Sequence, residues 1–248
     1  MTVFEGTINN GEIRSILKSA TVLVDECRVF FEDDEMIIRG TDPAGVGLVL
    51  IEASDEAFDD AVINSGQACF DFAEMADMIK TVGTGEDVEL VLEDSAMSIN
   101  TLDLSFTLSL IDPGSLKRDH NKPDLDLPAE VVFDASAFQR GIDAADLVAD
   151  HVEFGIDEAN SAFYMEAKGD VNRVILRKEK QDLVTLTTES VSSTYSIEYL
   201  KDICSALPED HNVTISLGED YPLEISFDII DDEVTVTYFV SPRLQPNT

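Results

Sequence analysis

The chain has 248 residues, and its 16 Lys+Arg against 51 Asp+Glu give a formal net charge of −35, which excludes an ordinary mesophilic surface because self-repulsion of that size destabilises a compact state. Hydrophobic residues make up 44% of the sequence and the mean hydropathy is −0.00, enough apolar matter to exclude a disordered polyacid. The longest apolar runs, such as 46–51, fall far short of the roughly 18 residues that a membrane helix requires, and the segment 1–6 lacks the pattern of a secretory signal.

A cytoplasmic setting is therefore expected, and a salty one, since the Debye length shrinks to about 3 Å near 1 M salt. An acidic mimic of nucleic acid is the alternative, but mimicry gives no reason for lysine to be scarce along the whole chain. Cys27, Cys69 and Cys204 are odd in number and far apart, so they read as buried thiols and not as a disulfide framework or a metal motif.

In chain order, Ile13, Ile16, Leu17 and Ala20 have helical spacing. Short, often alternating strands follow at 28–31, 36–39 and 46–51. Phe72, Met75, Ala76 and Ile79 mark a second helix, with Asp71 and Glu74 as a capping box, before strands at 88–92 and 104–108. The segment 117–128 is polar and twice interrupted by proline, as suits an exposed connector. Beyond it, strands at 131–133, 152–154, 174–176, 183–186, 213–217 and 234–238 surround two more helices. Phe138, Ile142 and Ala145 line the first, for which Ser136 and Gln139 resemble a capping box, and Ile197, Leu200 and Cys204 line the second.

The strongest internal signal is a repeat. Adding 125 takes Phe72, Met75, Met78 and Val82 to Ile197, Leu200, Ile203 and Leu207, and Val88, Leu90 and Leu92 to Val213, Ile215 and Leu217. The segments around Arg14 and Phe138 correspond more loosely, at a slightly smaller offset. The reading is α+β: two similar domains of antiparallel sheets with two helices each, at 1–116 and 129–248, joined by 117–128.

Catalytic chemistry finds little support. Asp33-Asp34-Glu35, Asp59-Asp60 and Asp231-Asp232-Glu233 could hold Mg²⁺ in a phosphohydrolase, but each lies between strands, where aspartate forms turns. His120, His151 and His211 lack Cys or His neighbours at ligand spacing and read as structural or surface groups. Gly83-Thr84-Gly85 follows a helix and reads as a C-cap, too short for a dinucleotide fingerprint. No enzyme, metal or cofactor is expected.

The two domains, Asp25-Glu26-Cys27, the run 41–49, the connector ending Leu125-Asp126-Leu127-Pro128, and Tyr221-Pro222-Leu223 followed by Tyr238-Phe239-Val240-Ser241-Pro242-Arg243 together resemble the PCNA-type DNA sliding clamps of archaea and eukaryotes. The resemblance covers essentially the whole chain. It implies a homotrimeric ring of six similar domains, with sheets outside, helices lining a central hole, and double-stranded DNA passing through. Encirclement removes the need for strong attraction, so a −35 chain can manage with a few phosphate contacts. The cations on the expected helices are Arg14, Lys18, Lys80, Arg140 and Lys201, interspersed with Glu74, Asp77, Asp143, Asp146, Glu198 and Asp202.

The resemblance also implies a pocket for a short partner motif carrying a glutamine, an aliphatic residue and paired aromatics. The matching positions are Val46, Leu48, Leu125, Leu127, Pro128, Pro222, Val240 and Pro242, with the backbone at Ser241 offered to the glutamine. Thr41 and Gly45 stand where the family usually has Met and His, implying a shallower rim. DNA polymerase, flap endonuclease, DNA ligase and an ATP-driven clamp loader are the implied partners. The implied subunit contact pairs the strand holding Arg173, Val174, Ile175 and Arg177 with one holding Phe106, Leu108 and Leu110 of a neighbour. Lys178 and Lys180 extend that basic cluster, and Glu74 or Asp77 of the neighbour are its expected acidic counterparts. A subunit of a heterotrimeric checkpoint-type clamp is the alternative within DNA metabolism.

Overall fold

A computed structural model describes all residues except 1, 33, 94, 117–120, 158, 160, 187–189 and 244–248. His120, Asp33 and the first third of the expected connector lie outside the described residues. By contacts the chain divides into two units, Met1–Lys122 with Asp228–Val236, and Pro123–Phe227 with Thr237–Thr248.

The first unit runs β1 (Thr2–Asn9), α1 (Asn10–Thr21), β2 (Glu26–Glu32), β3 (Glu35–Thr41), β4 (Gly47–Ser54), β5 (Asp59–Ile63), β6 (Gly66–Asp71), α2 (Phe72–Ile79), β7 (Asp87–Glu93), β8 (Ala96–Asn100) and β9 (Ser105–Ser109). Its strands form the ladders β5-β1-β7-β8-β9 and β4-β3-β2-β6. The second unit holds β10 (Ala129–Asp134), α3 (Ala135–Asp146), β11 (His151–Asp157), β12 (Ala162–Lys168), β13 (Arg173–Glu179), β14 (Thr185–Leu186), β15 (Ser192–Ser196), α4 (Ile197–Ala206) and β16 (Asn212–Leu217). The hairpin β17 (Leu223–Ile230) and β18 (Val234–Val240) follows, its tip counted with the first unit. Here the ladders are β13-β12-β11-β15 and β14-β10-β16-β17.

Each unit buries a helix pair on its sheets. Ile13, Ile16, Leu17, Phe72, Met75 and Ile79 are buried in the first, and Phe138, Ile142, Ala145, Leu200 and Ile203 in the second. Aromatic rings fill the layer beneath: Phe4 stacks on Phe31 at 5.4 Å, and Phe133 meets Phe163 at 5.3 Å, contacts that add to plain area burial.

The repeat is tighter than the sequence alone indicates. The starts of α1 and α3 (135 − 10) and of β2 and β11 (151 − 26) both differ by 125, as do those of α2 and α4 (197 − 72), so the first half of each domain shares the offset of the second. Helix starts obey it atom by atom. The Asn10 amide donates to Glu86 O at 2.9 Å and its counterpart Ala135 to His211 O at 3.0 Å; Phe72 donates to Asp25 O at 2.7 Å and its counterpart Ile197 to Asp150 O at 3.0 Å. Each bond satisfies an amide that a helix start leaves without an intrahelical partner.

Four local expectations need correction. Asp71 caps α2 through the Glu74 amide as expected, but α3 is capped by Asp134, whose carboxylate accepts from the Ala137 amide, while Ser136 merely donates to that carboxylate. Aspartate precedes the helix directly, at φ −57° and ψ 123°, the non-helical backbone a cap requires. Gly83 and Gly85 do not end α2, whose C-cap is Lys80; they form the turn into β7, where Gly85 has φ 82°. The strand expected at 183–186 keeps only its last two residues, because Leu183 closes a short 3₁₀ turn. Two acidic turns behave as read: Asp34 and Asp231 have φ of 66° and 38°, left-handed conformations that aspartate tolerates better than most residues. Asp59-Asp60 does not lie between strands, because the two residues open β5, with Asp60 at φ 54°.

Candidate functional site

The five helix cations divide by environment. Arg14 is half-buried, and its Nη2 donates to the Ile79, Lys80 and Val82 carbonyls at 3.0–3.1 Å, so it ties off the C-terminal end of α2. Its counterpart at the same offset is Gln139, whose Nε2 donates to Cys204 O at 3.0 Å and Leu207 O at 3.1 Å. Those carbonyls are the counterparts of Ile79 and Val82. A neutral amide performs the same duty in the second domain, so the primary work of Arg14 is to satisfy helix-end carbonyls.

Lys80 pairs with Asp77 at 2.8 Å, and Lys201 with Asp146 at 2.6 Å, a bond that raises the ammonium above its ordinary pKa. Arg140 is exposed and donates to the Ser136 hydroxyl at 2.9 Å, and its charge also acts on the nearby Asp134 carboxylate. Lys18 is exposed and has no ion-pair partner among the described residues. Among the described residues Lys18 is thus the helix cation least neutralised by carboxylates, and Arg140 follows, with Asp134 nearby but no ion pair.

Of the expected pocket positions in the first unit, Val46 is half-buried and Leu48 buried. The loop that carries them is organised by Asp42, only 5% exposed. Its carboxylate accepts from the amides of Ala44, Val46 and Gly47 at 2.8, 2.7 and 2.6 Å. Gly45, at φ 73°, closes the turn by donating to Asp42 O at 2.9 Å. The sequence places Asp42 within the 41–49 run without revealing this role; an aspartate followed by proline and, three residues on, a turn glycine is the signal that could have found it.

In the second unit, Leu125, Leu127, Pro128 and Pro222 are half-buried in segments without regular structure. Pro128 lies against Gly218, where an added Cβ would sit 3.3 Å from its Cδ and 3.2 Å from the Tyr221 ring. Pro128 and the turn before Pro222 therefore meet. Val240 is fully buried and belongs to the core, whereas Ser241 and Pro242 are half-buried.

The expected subunit strands both lie at sheet edges, β9 in the first unit and β13 in the second. Leu108 is 1% exposed and anchors β9 to its own domain, leaving Phe106 and Leu110 half-buried. On β13, Ile175 is 46% exposed and Val174 half-buried. A groove of about 600 Å³ beside them is lined by α3 residues including Ala137, Arg140 and Gly141, and by Ile175 and Lys178.

Two of the basic groups on β13 already have partners within their own sheet. Arg173 and Lys168 both contact Glu166, and Arg177 bonds Asp157 at 3.1 Å. Burial acts to raise the Glu166 pKa, but the two cations hold it below the usual value. All three thiols are buried, and burial pushes the Cys27 and Cys204 thiols well up. Among the described residues no helix is long and apolar enough to cross a membrane.

Residues 122–243 match the family model "Proliferating cell nuclear antigen, C-terminal domain". Across the whole chain, the DNA polymerase sliding clamp of Natronomonas pharaonis is 36% identical over 245 residues, 98% of this chain and 99% of that one. That of Halobacterium salinarum is 34% identical over 247 residues, 99% of this chain and all of that one. The same backbone occurs in A. fulgidus PCNA, solved with the C-terminal region of FEN-1 bound, at TM-score 0.92 and 28% identity over 98% of this chain and 100% of that one. Haloarchaeal relatives of this kind accord with an acidic surface suited to high salt. The repeated helix-and-sheet units and the full-length similarity lead to one conclusion: the chain belongs to the PCNA family of DNA polymerase sliding clamps, scaffolds that hold enzymes on DNA and catalyse nothing themselves.

Proposed function

We propose that three copies of this chain form a closed ring around duplex DNA in a salt-rich cytoplasm, each contributing clamp domains 1–116 and 129–248 joined by the connector 117–128. The observation that supports this reading is that β9 and β13, on different units, are each the end strand of a sheet. Joining one edge to the other of the next copy is a heterologous contact, and such contacts generate rings when the rotation closes. It also satisfies the unpaired backbone groups of both edges. Phe106, Leu110, Val174 and Ile175 supply apolar contact there. Lys178 and Lys180, which form no ion pair among the described residues although Lys178 acts on Asp134, meet a neighbour's Glu74, with Arg173 and Arg177 secondary.

In this ring α1–α4 face the DNA. Lys18 and Arg140 make direct phosphate contacts, Lys80 and Lys201 contribute once their carboxylate partners are displaced, and Arg14 acts mainly through the helix end it secures. Weak, sequence-independent contacts suit a ring that must slide. Partner enzymes insert their motif at Val46, Leu48, Leu125, Leu127, Pro128, Pro222, Ser241 and Pro242, with buried Val240 as the floor. The FEN-1 segment bound to the A. fulgidus relative supports a peptide-binding role, and polymerase, flap endonuclease, ligase and clamp loader are the partner classes. Tethering raises a partner's local concentration on DNA without any chemistry by the clamp.

Light scattering in molar KCl tests the ring. The wild type is expected at the trimer mass and Ile175→Asp, which places a carboxylate in the edge contact, at the monomer mass. A wild-type monomer at micromolar concentration overturns the reading.

A further inference from the structure

The chain leaves β18 at Val240, and residues 241–243 have no regular structure, although Ser241 and Pro242 are expected to border the partner pocket. Proline has no amide proton to donate, so Pro242 cannot tether this stretch through its own N–H. Arg243 does so twice. Its amide donates to Thr194 O on β15 at 2.7 Å, and its Nε donates to Nε2 of His151, the first residue of β11. β15 and β11 are neighbours, with His151 opposite Ser196, so a single residue is held to two adjacent strands.

We propose that His151 and Arg243 form a clamp that fixes residues 241–243 against β15 and so positions the Ser241 backbone for a partner's glutamine. The proposal rests on the partner-pocket reading above. The chemistry of the contact makes it conditional, because Nε2 accepts a hydrogen bond only while it is unprotonated. Protonation turns acceptor into donor and sets two cations against each other.

The charged groups acting on His151 are Arg243 and, from the turn before β11, Asp150. β15 offers the uncharged Ser196 opposite it. On β12, the Lys168 ammonium is taken by Glu166 at 3.0 Å. Burial first and Arg243 second lower the imidazole pKa below its ordinary 6.5, against the opposing pull of Asp150. A lowered pKa means that the clamp contributes fully above the free value and is lost as pH falls through the clamped one.

The test compares wild type, His151→Gln and His151→Leu in molar KCl at pH 7.5 and 5.0. The glutamine variant keeps an acceptor oxygen that does not titrate, and the leucine variant has none. One readout is hydrogen exchange at the Arg243 amide, followed by mass spectrometry of a C-terminal peptic peptide and corrected for intrinsic rates. The other is anisotropy of a fluorescein-labelled synthetic peptide carrying glutamine, an aliphatic residue and paired aromatics.

In the wild type, protection and peptide affinity both fall about tenfold or more between pH 7.5 and 5.0, the scale of one charge-assisted hydrogen bond. His151→Gln stays high at both values and His151→Leu low at both. Undiminished Arg243 protection in His151→Leu overturns the clamp, and unchanged peptide affinity despite lost protection overturns its positioning role. A wild type that binds no peptide at pH 7.5, with protection still following His151, instead overturns the pocket reading.

Discussion

Replacing Arg14 separates a structural cation from a DNA contact. Its Nη2 serves three carbonyls at the end of α2, and a hydrogen bond with one charged partner contributes about 1.5–3 kcal/mol net. Because two protons are shared among three acceptors, and a cation at a helix C-terminus adds roughly 0.3–1 kcal/mol, Arg14→Ala should cost about 2–3 kcal/mol. For a protein of this size that lowers Tm by roughly 5–10 °C. Arg14→Gln should cost only about 0–1 kcal/mol by the same reasoning, since Gln139 does this work in the second domain with two bonds. Glutamine also removes Arg14 Nε, which is buried without an acceptor. The assay is thermal unfolding in constant molar KCl alongside retention of loaded clamp on circular duplex. Arg14→Gln should match wild type in both. A variant that melts normally but is lost from DNA would refute the helix-end role, as would an Arg14→Ala protein that melts like wild type.

Other outcomes follow from the same geometry. Asp42→Ala leaves three loop amides without their acceptor and should weaken partner-peptide binding at least tenfold, by the scale of a lost charged hydrogen bond; isothermal titration with the trimer mass unchanged checks it. Lys18→Glu combined with Arg140→Glu should shorten residence on DNA and leave peptide affinity intact, because the two readouts use different residues. Cys27, Cys69 and Cys204 should resist iodoacetamide at pH 8 until the protein unfolds, since burial disfavours the thiolate of Cys27 and Cys204 and all three are inaccessible. The Glu166 carboxyl is held below its ordinary 4.5, so its contribution to stability is complete above that value and disappears as pH falls through the folded one. Glu166→Gln should therefore flatten the acid limb of a stability–pH curve, and an unchanged limb counts against the assignment.

Helices and fold class were legible because they depend on local periodicity: the apolar stripes of all four helices stand in the sequence at the spacing the structure uses. Strands such as β12 (Ala162–Lys168) were not. Ala162, Phe163, Met165, Glu166 and Ala167 are buried, and a strand covered on both faces has no alternation to read. The candidate sites were less legible than the fold. Composition cannot separate a cation that serves the backbone, as Arg14 does, from one left exposed without an ion pair among the described residues, as Lys18 is; only the partners of each group decide. The burial of Leu108 and Val240 was hidden for a related reason, since a resemblance carries over a position but not the depth at which its side chain sits. The contact between His151 and Arg243 was missed because it joins residues 92 apart that nothing local in the sequence connects, whereas Asp42, whose contacts are local, lay within reach of a turn reading.

The central claim is that topology, not attraction, keeps this −35 chain on DNA. Clamp loaded onto a nicked circular duplex and isolated in molar KCl should co-elute with the circle, because screening removes phosphate attraction but cannot open a ring. Cutting the circle at a single site should then release it from the free ends. Equal retention on circular and linearised DNA, or loss from both at that salt concentration, would contradict the account.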